Sequence, residues 1–128
     1  MIDWREAMPL AAFLGVEPVA AAPDEVRARL AWRAELCTAG GVLHGGALMA
    51  LADSAGGVCA FLNLPDGASA TATIQSSTAF LRAVREGYAE AVSRPLRVGR
   101  SVIVVETEIA DAAGHAVAHV VQSQAVLS

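Results

Sequence analysis

The apolar positions of this chain follow two different periods. Val26, Ala28, Leu30 and Trp32 alternate with Arg27 and Arg29, with Arg33 just beyond, and a period of two predicts a half-buried strand. Pro23-Asp24 supplies a turn before it, which makes residues 15–20 its expected hairpin partner. Past Gly45 the spacing changes to Leu48, Leu51, Ala52, Ala55, Val58, Cys59 and Leu62, a helical repeat lasting about four turns. Asn63, Pro65, Asp66 and Gly67 end that helix. Strand-like runs then follow at 70–81, 88–98, 101–110 and 115–127, separated by turn signals at 85–87, 99–100 and 111–114. Ahead of everything, Trp4, Met8, Leu10 and Ala11 mark a short amphipathic helix over residues 3–13, interrupted by Pro9.

Hairpin, long helix, then a meander of short-linked strands is an α+β order. A single antiparallel sheet of five or six strands with one helix that is apolar on most sides must curl around that helix to bury it. The 128 residues suit one domain. Hydrophobic residues make up 55% of the chain but aromatics only 5%, which points to closely packed backbones around alanine rather than a large aromatic core.

Charge narrows the partners. The net charge is −4 and all nine basic residues are arginine, a balance that argues against a duplex nucleic-acid binder working by phosphate neutralisation. No apolar run appears long enough for a membrane span. Residues 1–6 mix both charge signs and lack the pattern of a secretory signal, so the expected compartment is the cytoplasm. The arginines form two groups, one at 27, 29 and 33, the other at 82, 85, 94, 97 and 100. Solvated strand faces account for such groups, and so does a site for phosphates on a small ligand, which guanidinium matches in bidentate geometry. Cys37 and Cys59 follow no metal or redox spacing and are read as small buried hydrophobes. His44, His115 and His119 have no companions at ligand spacing, and no metal site is expected.

The chemistry concentrates between Leu36 and Pro65, where Asp53 is the one formal charge in thirty residues. A buried carboxylate is costly unless paired or used. Asp53 is therefore either a general base or nucleophile with a pKa raised by desolvation, or a structural residue bonded to a backbone group or a hydroxyl such as Ser54. Nine residues before it stands His44-Gly45-Gly46, opening the helix with no Ser, Thr, Asp or Asn at the cap. Free N–H groups and a helix dipole at a glycine turn suit an oxyanion hole; a tight turn and close helix-sheet packing explain the same glycines. Gly45 and Asp53 lie eight residues apart, roughly 12 Å along a helix. One carbonyl cannot touch both in one chain. If both act on one carbon, the site is shared by two chains with antiparallel helices about a two-fold axis, and Gly56 and Gly57 would permit their close contact.

Residues 41–55, Gly-Val-Leu-His-Gly-Gly-Ala-Leu-Met-Ala-Leu-Ala-Asp-Ser-Ala, resemble the signature of hotdog-fold acyl-CoA thioesterases, especially the phenylacetate-pathway and 4-hydroxybenzoyl-CoA type. Phe80-Leu81-Arg82, Val98-Gly99-Arg100-Ser101 and 111–115 resemble later parts of that family, so the likeness covers nearly the whole chain. It implies a hotdog fold, hydrolysis of an acyl-CoA thioester, no cofactor beyond the CoA of the substrate, and a homodimer that pairs into a tetramer. Carried over by position, Asp53 is the catalytic carboxylate, the Gly45 N–H polarises the thioester carbonyl, and His44 lies near that carbonyl or holds the turn. Thr73 supplies the hydroxyl that orients water. Thr38 and Gly46 fall beside the substrate, and the CoA phosphates are expected near Arg82 and Arg100, then Arg97. Two departures stand out: Thr38 where the family often has Asn or Gln, which bears on acyl specificity, and Ala83 in place of its proline. The alternatives are a non-catalytic acyl-CoA-binding module and, ranked lower because the acid sits inside the helix, a hotdog hydratase.

Overall fold

The computed structural model describes residues 3–128; Met1 and Ile2, part of the stretch read for a leader, lie outside the described residues. Two short helices, α1 (Trp4–Ala7) and α2 (Pro9–Leu14), precede the hairpin β1 (Glu17–Ala22) and β2 (Glu25–Ala31). The long helix α3 (Gly45–Leu62) follows, then β3 (Ala70–Phe80), β4 (Tyr88–Val98), β5 (Val102–Asp111) and β6 (Ala116–Leu127). All six strands form one antiparallel sheet in the order β1-β2-β4-β5-β6-β3.

The alternation in β2 works as its period requires. Val26, Ala28 and Leu30 are fully buried, while the outward arginines pair with carboxylates on the same face: Arg27 with Glu25 of its own strand and with Glu90 of β4, and Arg29 with Glu90. Arg29 also lies 4.4 Å from the centre of the Tyr88 ring, and Arg94 bonds Glu25 at 2.7 Å. These guanidiniums serve the sheet surface.

The expected meander holds for β4, β5 and β6 but not for β3, which pairs with β6 at the far edge. Seven residues, 81–87, join β3 to β4. They must span three strand spacings, about 14 Å, which seven extended residues cover. The crossing is held by the N–H groups of Leu81 and Arg82 on the Val117 carbonyl, by Leu43 N–H on Val84 and by Trp32 N–H on Gly87. Val84 is buried beneath it.

Against the sheet, α3 buries Leu48, Leu51, Ala52, Ala55, Val58 and Cys59, opposite Leu30, Ile103, Val105 and Val120. This helix is long and apolar enough by length and composition to cross a membrane, contrary to the sequence expectation, yet its apolar face forms the core. It is not enclosed on most sides, because Met49, Asp53 and Phe61 remain exposed, Asp53 and Phe61 along the side that borders β3. The N-terminal helix departs in detail as well. Pro9 divides it into α1 and α2, so its four apolar positions do not share one face: Trp4 and Ala11 are buried, whereas Leu10 is 61% exposed.

Candidate active site

The start of α3 is capped, but not by the usual residues. His44 is the N-cap with extended backbone, and its Nδ1 accepts the Gly46 N–H at 2.7 Å. An acceptor Nδ1 places the proton of a neutral imidazole on Nε2. Gly46 is needed here, since a Cβ would sit 2.9 Å from that nitrogen. Its N–H is thereby occupied by the cap rather than left for substrate. The Ala47 and Leu48 N–H groups donate to the His44 carbonyl. Among the described residues no hydrogen bond takes the Gly45 N–H, so the first turn presents one free donor where the helix dipole favours negative charge.

The Phe80 ring covers that donor's residue, with its Cζ 3.0 Å from where a Gly45 Cβ would be. A cleft of about 430 Å³ runs alongside, lined by Thr38, Gly45, Leu48, Phe80, Leu81 and Arg82. Thr38 thus lines the same cleft as Gly45. Arg82 also borders a wider hollow of about 700 Å³ with Arg85, Asp111 and His115. There its Nε is 3.7 Å from Asp111 Oδ2. The His115 and Ala113 backbone N–H groups and the His115 ring all bond Asp111. Led by the His115 backbone N–H, they hold its carboxyl below the ordinary Asp value.

Arg97 and Arg100 are not near Arg82 in this chain. Asp111 pairs with Ala89 near the start of β4, while Arg97 pairs with Val104 by the β4–β5 turn. Eight residues of strand separate the two ends, about 27 Å. Closeness in sequence had grouped arginines that a hairpin carries to opposite ends.

Two turns into α3, Asp53 is exposed on the side of the helix that borders β3 rather than buried. Its partner is not Ser54, whose hydroxyl donates back to the Ala50 carbonyl. Thr73 of β3 donates to Asp53 Oδ1 at 2.7 Å, and the Gln122 amide of β6 donates to the same oxygen at 3.1 Å. Gln124 Nε2 in turn donates to Thr73 Oγ1 at 2.6 Å. Thr73 and Gln124 are register partners, and the ladder slips between Thr73 and Gln75. That bulge at Ile74 places Thr73 on the helix-facing side. Sequence reasoning missed Gln122 and Gln124. Both occupy the buried parity of β6 together with Val120 and are only 1% exposed, so two amides at core positions were the available signal.

Within one chain the two helix glycines meet different surroundings. A side chain at Gly56 would collide with the Gln122 amide, whereas one at Gly57 would meet nothing within 4 Å. Gly57 instead opens a cavity of about 490 Å³ beside Asp53, lined by Met8, Val58, Phe61, Ala70 and Thr73 among others. Cys59 is fully buried, and burial pushes its thiol up to about 11, leaving it protonated and inert. Cys37 is only half-buried. No three His, Cys, Asp or Glu side chains lie together as a metal site among the described residues.

Comparison with known proteins fits this picture. A candidate esterase of Deinococcus radiodurans is 38% identical over 107 residues, 83% of this chain and 70% of its own. A proofreading thioesterase of Cronobacter sakazakii is 38% identical over 74 residues, 58% of this chain and 53% of its own. The crystal structure of a Haemophilus influenzae thioesterase superposes with a TM-score of 0.89 at 24% identity, covering 100% of this chain and 92% of that one. One long helix on a six-stranded antiparallel sheet, shared with that structure, is the hotdog fold. The family model described as "Thioesterase superfamily" matches residues 40–118, a span holding His44, Gly45, Asp53 and Thr73, and the chain belongs to that superfamily.

Proposed function

We propose that this protein hydrolyses acyl-CoA thioesters at a site shared by two subunits. The observation that carries the reading is the pairing, on one helix, of a free Gly45 N–H at the N-terminus with an exposed, hydroxyl-anchored Asp53 eight residues later. The helix rise separates them by about 12 Å, so one thioester carbon meets both only if a second α3 runs antiparallel across the first. The uncovered face of α3 and the edge strand β3, where Ile74 is 62% and Phe80 52% exposed, supply surface for such a partner.

In this arrangement the carbonyl oxygen lies against the Gly45 N–H, which stabilises the oxyanion as charge develops. The partner subunit's Asp53 approaches the carbonyl carbon. As a base it takes a proton from water, which adds to the carbon; as a nucleophile it adds directly, and water later cleaves the acyl-aspartyl anhydride. In either case the C–S bond breaks and CoA leaves as a thiol after protonation. The acyl group fits the cavity beside Asp53, whose lining carries no other charge. Arg82, bordering both the Gly45 cleft and the wider hollow, suits the CoA phosphates, and Arg97 and Arg100 would meet the same ligand only from another subunit.

CoA release measured over phenylacetyl, 4-hydroxybenzoyl, acetyl and octanoyl thioesters tests the reading. Asp53→Ala and Asp53→Asn should lower turnover by ~10²–10⁴ while the protein stays folded and dimeric. Wild-type turnover of none of these thioesters, or near-normal rates in both variants, would sink it. Single-turnover hydrolysis in ¹⁸O-water then tests direct attack: label in the Asp53 carboxylate marks it, whereas label in the product acid arises from a base or from water opening the anhydride at the acyl carbon, which rapid-quench trapping of the acyl-enzyme tells apart.

A further inference from the structure

Position 122 lies on the core side of β6, in line with Val120, and a hydrophobic residue would fill it well. The Gln122 side chain instead brings an amide into the core with only half of its hydrogen-bonding capacity used. Its Nε2 donates to Asp53 Oδ1 at 3.1 Å, while its Oε1 is buried and has no partner. Neither burial nor saturation of its own groups explains this residue, since an unpartnered buried acceptor is destabilising. The opposite amide orientation would set Oε1 against the carboxylate, so the interaction with Asp53 fixes which end points where.

The surroundings are shaped to this contact. Gly56 on α3 leaves the space that the amide fills, and any Cβ there would collide with it, although glycine inside a helix is unfavourable. The second donor to Oδ1 is directional too. Thr73 Oγ1 receives a hydrogen from Gln124 Nε2 at 2.6 Å, so its own hydrogen is the one given to Asp53 at 2.7 Å. Both hydrogen bonds thus end on Oδ1, and Oδ2 receives none among the described residues.

We propose that Gln122 is a positioning residue for the hydrolysis: it locks Asp53 Oδ1, together with the Gln124–Thr73 chain, so that Oδ2 alone is presented to water or thioester. The proposal rests on the catalytic reading of Asp53 and adds to it the device that aims the carboxylate. Gln122 does not touch the reacting atoms; it acts through Asp53. Its removal should therefore slow the chemical step with little change in substrate binding, and should matter only when the carboxylate is present.

A double-mutant cycle tests this. Gln122→Met, Asp53→Asn and the double variant are compared with wild type on whichever of phenylacetyl-, 4-hydroxybenzoyl-, acetyl- or octanoyl-CoA the wild type cleaves fastest. Steady-state rates and single turnovers with enzyme in excess are measured, along with thermal unfolding. Gln122→Met should keep or raise the unfolding temperature, leave KM within about twofold and lower kcat by ~10–100-fold, the effect of losing one hydrogen bond to a charged group. In the Asp53→Asn background it should cost nothing further. An unchanged kcat in the single variant overturns the proposal, and so does an equal loss in both backgrounds, the mark of a packing role. Should Gln122→Met fold poorly, Gln122→Leu repeats the cycle. Near-normal activity in Asp53→Asn instead refutes the catalytic reading beneath it.

Discussion

Asp53 and Asp111 show how differently two carboxylates are employed in one small fold. Asp53 accepts two side-chain donors on a single oxygen and stays exposed along the β3 side of α3. Asp111 spends its oxygens on the turn between β5 and β6, taking the Ala113 and His115 N–H groups and the His115 ring. Those bonds favour the charged carboxylate and hold its pKa down, and the sign of the pH effect follows. Stability contributed by a depressed carboxyl is present above the unfolded value and is lost as pH falls through the lower folded value. Asp111→Asn should therefore speed amide hydrogen exchange at residues 112–115 near neutral pH, with the difference from wild type closing as pH falls below about 3.9. A difference that persists unchanged in acid would show that charge is not what holds the turn. Other residue-level features were hidden in the sequence because they depend on contacts between distant segments. The His44 ring caps its own helix two residues on, and Gln122 reaches Asp53 across sixty-nine positions; neither follows from a local cap rule or a spacing.

At the scale of elements, α3 carries three functions on faces set by its repeat. One side packs on the sheet, Gly56 admits the Gln122 amide, and the stripe Asp53, Gly57, Phe61 at intervals of four faces the cavity. Gly57 is the informative member, because a helix-interior glycine costs about 1 kcal/mol against alanine although a Cβ there would meet nothing. Gly57→Ala should therefore raise stability by about that amount in thermal unfolding. Gly57→Val should fill cavity space and shift the ratio of kcat/KM for octanoyl-CoA over acetyl-CoA downward by ~10-fold, a typical effect of methylene-sized changes in an apolar pocket. An unchanged ratio would remove this cavity as the acyl site, and loss of the dimer in either variant would show that Gly57 serves helix contact instead. The periodicities made α3 and the boundaries of β4 to β6 legible to within a residue or so, since each run buries one parity or one stripe; β3 buries neither parity, and only the turn signals around it marked its bounds. The position of β3 beside β6 was not legible. Alternation states which face of a strand is buried and says nothing about which strand lies next to it, and the turn signal at 85–87 looks the same in a hairpin as in a crossing.

On the scale of the whole molecule, the single chain leaves a helix face and a sheet edge open. Its long helix is apolar nearly all round, a pattern that calls for burial on more than one side, yet its own sheet covers only one. The eleven-residue edge strand β3 presents unpaired backbone and exposed apolar side chains next to that open face, a surface that favours association. If a two-fold axis places Gly45 of one chain against Asp53 of the other, the assembly itself becomes testable by complementation. Gly45→Pro deletes the candidate oxyanion donor at the first helical position, where proline suits the helix backbone; the extended backbone of His44 before it (φ −62°, ψ 135°) accepts a following proline, and the Phe80 ring, 3.0 Å from the Cβ position, must turn aside to admit it. Homodimers of Gly45→Pro or of Asp53→Ala have no intact site. A mixed dimer has one, formed by the Gly45 of the Asp53→Ala chain and the Asp53 of the Gly45→Pro chain. Refolding the two variants together in equal amounts should make half of the dimers mixed, each with one of its two sites intact, and so restore about one quarter of wild-type turnover. Activity that stays at the level of the separate variants, with mixed dimers verified by mass spectrometry, would mean that each site draws both residues from one chain, which the spacing along α3 forbids for a single carbonyl; the pairing of Gly45 with Asp53 would then have to be abandoned, and with it the shared site.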